Sequence, residues 1–165
     1  MAVKGSVPAV GVIFPHPVVR DSAEAVNFYT RAFAAKILYR SKSPSGKGEH
    51  LHLRVWASLV QVSSEEPNQD QHASNVLASP ETLRGTTCVF QIGVPDVDAA
   101  YDRAVDSGAT PTLPPTDMFW GDRYAWVRDP FGHMWAFCTT REVLTSDQVA
   151  ERMQGEFGTQ PSIST

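Results

Sequence analysis

Apolar and polar residues alternate along this chain in two rhythms, period two and helical, and the pair of rhythms occurs twice. Ala9 to Val19 is apolar and β-branched and is broken by Pro15 and Pro17, the pattern of an edge or bent strand. Asp21 then stands as an N-cap with Glu24 three positions on. Ala25, Val26, Phe28, Tyr29, Ala32 and Phe33 follow at helical spacing, which predicts an amphipathic helix over Ser22 to Ala34. Strand-like runs come next at Lys36 to Ser43, Glu49 to Trp56 and Ser58 to Ser63, with a tight turn near Ala57. The second half repeats the order. Thr86 to Val94 reads as a strand, and Asp96 caps a helix with Val97, Ala100, Tyr101, Ala104 and Val105 on one face, ended by Gly108. Strands follow over Thr110 to Leu113, Asp122 to Arg128 and His133 to Thr139. Thr145-Ser-Asp-Gln148 is a capping box that opens a short last helix, about 145–155, and the polar tail from Gly158 is expected to fray.

The repeat predicts an α+β fold of two tandem βαβββ modules, about 9–64 and 86–140, joined by a Gln-, Asn-, Ser- and Pro-rich linker at 65–85. Each module would curl a four-stranded, antiparallel-rich sheet into half of an open, barrel-like surface around a central cavity. A doubly wound parallel sheet is disfavoured, because only two of the seven strand-to-strand connections contain a helix. One helix covers one face of each sheet, so the other face needs a partner.

Composition narrows the function. Among 165 residues, 14 Lys and Arg face 18 Asp and Glu, a formal charge of −4, which gives no basic surface for a phosphate backbone and argues against nucleic acid. Apolar runs such as Ala9 to Phe14 fall far short of the roughly 20 residues of a membrane span. The start, Met1-Ala-Val-Lys-Gly-Ser, lacks the apolar core of a secretory signal, so a cytoplasmic location is expected. Cys88 and Cys138 are too few for a disulfide framework and read as two buried free thiols.

Two segments then bear a family pattern. One is Val18-Val-Arg-Asp21 through Ala25-Val-Asn-Phe-Tyr29 to Phe33. The other is Val94-Pro-Asp-Val-Asp-Ala-Ala-Tyr-Asp-Arg-Ala-Val-Asp-Ser-Gly-Ala109, resuming at Asp117 and running through Trp120-Gly-Asp-Arg-Tyr124 and Asp129-Pro-Phe-Gly-His133 to Trp135. Over residues 9 to 140 the chain resembles the vicinal oxygen chelate superfamily of glyoxalase I, bleomycin-resistance proteins, fosfomycin-resistance enzymes and extradiol dioxygenases, and within it the PhnB-like branch. Asp129-Pro-Phe-Gly132 has its own structural reading, a hairpin turn with Pro second and Gly at positive φ. Asp122 and Arg123 read as ties for the loop that holds Trp120.

The resemblance implies four metal-ligand positions in metal-dependent members, on the first and last strand of each module. Here they fall at Phe14, Gln61, Val89 and Ala136, one possible donor and no carboxylate. A two-residue slip along a strand brings in His16 and Gln91, and His50-Leu-His52 shares one face of the third strand. His16, His52 and Gln61 are thus the candidates if a divalent metal binds, but no cofactor is expected. His72 in the linker and His133 after the turn read as non-ligands. Alternation places Leu51, Leu53 and Val55 under the helix, leaving His50, His52, Arg54 and Trp56 facing inward. The candidate ligand pocket comprises Phe14, His16, Arg54, Trp56, Gln61, Gln91, Trp120, Tyr124, Trp126 and Met134, apolar walls with a few polar groups.

The favoured function is therefore metal-free binding of a planar or hydrophobic small molecule, with antibiotic sequestration as one form of it. The alternative is a metal-dependent lyase, isomerase, transferase or dioxygenase, and a metal-free enzyme would use His52 or Tyr124 as acid or base. The resemblance implies a homodimer, and Phe119 and Trp120 offer aromatic surface for one.

Overall fold

The computed structural model describes residues 11–43, 46, 48–65 and 77–158. The start of the first predicted strand, much of the turn after Ser43, most of the linker including His72, and the end of the tail lie outside the described residues.

Eight strands and four helices follow in the order β1 (Val18–Val19), α1 (Ser22–Phe33), β2 (Lys36–Lys42), β3 (Glu49–Val55), β4 (Ser58–Ser64), α2 (Pro80–Leu83), β5 (Val89–Gly93), α3 (Val97–Asp106), β6 (Thr110–Asp117), β7 (Asp122–Arg128), β8 (Met134–Thr140) and α4 (Ser146–Phe157). They form two four-stranded sheets, β1-β4-β3-β2 and β5-β8-β7-β6. In each, the first strand lies parallel to the last and the other pairs are antiparallel. The fold is α+β, two tandem βαβββ-like modules whose sheets stay open rather than closing into a barrel, with a short C-terminal helix.

The caps act as read from the sequence. Asp21 accepts from the backbone N–H of Ala23 and Glu24, Asp96 from Ala99, and Thr145 and Gln148 close a reciprocal capping box. Helix α1 covers β3 and β4, α3 covers β6 to β8, and the two helices pack on each other. Arg103 on α3 also donates to the Ala32 carbonyl at 2.8 Å. One continuous core results, with Val19, Phe28, Phe33, Leu51, Leu53, Val62, Val97, Ala125, Val127, Trp135 and Phe137 all at 2% exposure or less.

Several boundaries differ from expectation. The first strand shrinks to Val18–Val19 because Pro15 and Pro17 have no N–H to give. Their carbonyls still accept from Gln61 and Ser63, so the pairing continues in one direction only. The fifth strand starts at Val89 rather than Thr86, which leaves Cys88 ahead of the sheet as an exposed thiol and not the buried one expected, while Cys138 is half-buried. The sixth extends to Asp117 despite Pro111, Pro114 and Pro115, which it tolerates as an edge strand with two register irregularities. The linker's end holds the one-turn helix α2, capped by Ser79 and opened by Pro80.

Candidate functional site

Each sheet has a face turned away from its helix, and the predicted site residues divide between these two faces. On the first sheet, antiparallel pairing sets Gln61 directly across from His52 and Ser63 across from His50. His16, just before β1, is drawn in by the one-way pairing with β4. Its Nε2 lies 2.8 Å from Ser63 Oγ, and the same hydroxyl lies 2.7 Å from His50 Nδ1. His50 Nε2 is 3.3 Å from His52 Nε2, and Gln61 Nε2 is 3.2 Å from that same nitrogen. His16 and His50 both titrate below the ordinary value of 6.5. Burial is the main cause, and repulsion from the neighbouring imidazoles adds to it.

The second group lies on β5, β7, β8 and the turn before β7. Tyr124 donates its hydroxyl to Gln91 Oε1 at 2.9 Å, and Gln91 donates through Nε2 to Cys138 Sγ at 3.4 Å. Burial raises both the Tyr124 phenol and the Cys138 thiol, so each keeps its proton at neutral pH. The Tyr124 ring stands edge-on to Trp120 at 5.8 Å and to Trp126 at 6.2 Å. Trp120 is held by an indole N–H bond to Asp122 Oδ2 at 3.0 Å and by edge contact with Phe119, which meets Phe157 of α4. The indole N–H of Trp126 is buried, and its interaction with the Tyr124 oxygen works against the upward shift of that phenol.

The loop is tied down as its charges suggested. Arg123 reaches Asp98 on α3 at 2.5 Å and Asp117 on β6 at 3.0 Å, and this hydrogen bonding holds the Asp98 carboxyl below its usual range. Arg123 itself lines a cleft of about 600 Å³ with Arg141, Glu142 and Arg152, the last two forming an ion pair at 2.8 Å. A more apolar cleft of about 490 Å³ lies between the modules, bounded by His16, Val18, Leu83, Cys88, Phe90 and His133.

Other candidates sit apart from both groups. Trp56 does not continue the inward row of β3. It adopts a left-handed backbone, φ 53°, in the turn after the strand, and its ring lies under the Arg103 guanidinium of α3, 5.8 Å from the centroid. Arg54 is exposed beside Lys36 near that turn. Met134 is buried next to Pro80 and Gly132 at the start of β8. Phe14 is half-buried ahead of β1. His133 is buried against the Phe90 ring, on the inter-module cleft that His16 also lines. Sequence reasoning missed Tyr39, whose ring lies 5.2 Å from His52, because a register shift between Ile37 and Tyr39 breaks the alternation. It also missed Ser63, which the two-residue step from Gln61 could have found.

The ligand positions implied by the family resemblance do not fit a metal centre. Phe14, Val89 and Ala136 offer no donor, and Gln61 alone offers a neutral amide. Among the described residues, no group of three or more His, Cys, Asp or Glu side chains is placed to hold a metal ion.

Comparison with known proteins is consistent with this architecture. Mb0911c of Mycobacterium bovis is 37% identical over 142 residues, covering 86% of this chain and 91% of that protein. The crystal structure of TioX from Micromonospora sp. ML1 is similar at 28% identity and a TM-score of 0.57, covering 82% of this chain and all of TioX. The fosfomycin resistance protein FosX from Listeria monocytogenes, solved with Mn(II) and sulfate, shares the fold at 15% identity and a TM-score of 0.53, over 86% of this chain and 98% of FosX. The family model of the Glyoxalase/Bleomycin resistance protein/Dioxygenase superfamily matches residues 14–137, and the chain belongs to that superfamily.

Proposed function

We propose that this protein binds a planar, largely apolar small molecule on the aromatic wall of its second module and holds it without an ion of the family type. The observation behind this reading is the row of half-buried rings Trp120, Tyr124 and Trp126, with the Tyr124–Gln91 pair beside it. The rings supply contact area for a planar ligand, and the Tyr124–Gln91 pair supplies polar atoms at its edge. Sequestration fits better than turnover, because the carboxylate beside this wall, Asp122, is engaged by the Trp120 indole N–H and burial keeps the Tyr124 phenol protonated. Superfamily relatives bind small molecules, and the chain most resembles the PhnB-like branch. Two copies would pair so that the modules of one complete the cavities of the other, in the cytoplasm.

The experiment is a thermal-shift screen of planar aromatic compounds, followed by titration of the best binder into the wild type and Trp126→Ala. Each ring contact contributes on the order of 0.5–1.5 kcal/mol beyond area burial, so losing the ring weakens binding at least roughly tenfold. Unchanged affinity in Trp126→Ala would overturn the reading. So would binding that EDTA abolishes and Zn²⁺, Ni²⁺, Mn²⁺ or Fe²⁺ restores, which would point to the metal-dependent lyase, isomerase, transferase or dioxygenase alternative.

A further inference from the structure

The geometry points to a second site, on the open face of the first module, where His50, His52 and Gln61 form a three-donor seat for a borderline divalent transition ion such as Zn²⁺, Ni²⁺ or Cu²⁺. The site is independent of the aromatic wall; its two histidines stand on β3, outside the positions where the resemblance places family ligands, and Gln61 alone coincides with one of those positions.

Strand geometry builds it. His50 and His52 are two apart on β3 and share a face, and Gln61 is the cross-strand partner of His52. The two imidazole Nε2 atoms are 3.3 Å apart, and the Gln61 amide nitrogen is 3.2 Å from the second of them. Zn–N bonds of about 2.0–2.1 Å in a tetrahedron put neighbouring donor atoms about 3.3–3.4 Å apart, so these gaps match the edges of such a site. A half-turn of the amide presents its oxygen in place of its nitrogen without moving the side chain.

The supporting hydrogen bonds suit the same role. A ligating imidazole donates its other ring N–H to a neighbour, which fixes the tautomer and aims the lone pair. Ser63 Oγ, 2.7 Å from His50 Nδ1, accepts that proton and leaves His50 Nε2 free to coordinate. The hydroxyl can in turn donate to His16 Nε2, 2.8 Å away. Two imidazoles and an amide give a neutral donor set, which selects against Mg²⁺ and Ca²⁺, since both require hard oxygen ligands. Three protein donors leave one position open to water or an anion.

The test uses untagged full-length protein stripped of metal by chelator dialysis and titrated calorimetrically with ZnCl₂, NiCl₂ and CuCl₂. One saturable ion per chain is expected, with Cu²⁺ tightest and MgCl₂ silent. His50→Ala and His52→Ala should each remove saturable binding. Ser63→Ala should weaken it about 10- to 100-fold by unfixing His50. Gln61→His should tighten it. These side chains lie on an open face, and urea denaturation confirms that each variant is folded. Nitrogen NMR of the wild type should show Zn²⁺ shifting Nε2 of His50 and His52 and not Nδ1. No saturable binding, or binding unchanged in both His50→Ala and His52→Ala, overturns the proposal.

Discussion

Tyr29→Phe isolates one hydrogen bond that joins the two modules. The Tyr29 hydroxyl, on α1, donates to Asp129 Oδ2 at 2.9 Å in the β7–β8 turn, one hundred positions further along the chain. Asp129 is only 2% exposed, and its carboxylate accepts three more bonds. Trp135 Nε1 reaches Oδ2 at 3.0 Å, and the backbone N–H of Phe131 and of His133 reach Oδ1 at 3.0 and 2.8 Å. Burial, and then the nearby carboxylate, push the Tyr29 phenol well above its ordinary value, so it stays a donor across the working range. Phe keeps the ring and its contacts with Phe28, Phe33, Phe131 and Trp135, so only the hydroxyl is removed. A hydrogen bond to a charged group contributes about 1.5–3 kcal/mol. At about 2–4 °C per kcal/mol for a chain of this size, Tm should fall by about 3–12 °C. Urea denaturation followed by tryptophan fluorescence measures the loss. A Trp135→Phe double-mutant cycle should show coupling of about 0.5 kcal/mol or more, because both donors share one oxygen. A Tyr29→Phe protein within about 0.5 kcal/mol of wild type would refute the account of this turn as an inter-module tie.

Gly121→Ala should destabilise by about 1–3 kcal/mol in the same assay, since Gly121 has φ 97° and an added Cβ would meet the Glu142 carbonyl oxygen. Gly93→Ala, with open space around its Cβ and no positive φ, serves as the neutral control. Protonation of His16 and His50 favours the unfolded chain, because both titrate below 6.5 when folded. Their share of stability is therefore intact above pH 6.5 and is lost as pH falls through the folded values, and a His16→Gln/His50→Gln variant should flatten a urea-midpoint series measured over that range. Light scattering across a wide concentration range should return the mass of a dimer, and a monomer mass throughout would count against the paired-copy arrangement.

The helix-covered half of the molecule was legible because burial imposes a strict parity. Leu51, Leu53 and Val55 alternate under α1, and Ala125 and Val127 under α3, as their spacing said. The open half obeys weaker rules. Trp56 left its predicted row because the turn needs a left-handed residue there, a backbone demand that hydrophobic patterning does not register. Tyr39 was hidden by a bulge. Met134 kept its parity but met α2, a one-turn helix too short to leave a periodic signal. The division of the candidate pocket into two separate groups was illegible for a different reason. The sequence shows which side chains share a sheet face, but not how two sheets stand to each other once their helices have packed.

The proline-laden β6 has a consequence for how this molecule can meet others. An outermost strand with a regular row of N–H groups invites another chain to extend the sheet. On β6, Pro111, Pro114 and Pro115 delete three of those donors, and at the outer strand of the other sheet Lys36, Arg40 and Lys42 set positive charge along the margin. Lateral growth by strand addition is thus discouraged at both outer margins. Two sheets that keep an open face are in this way guarded against the edge-to-edge pairing that leads to fibrils.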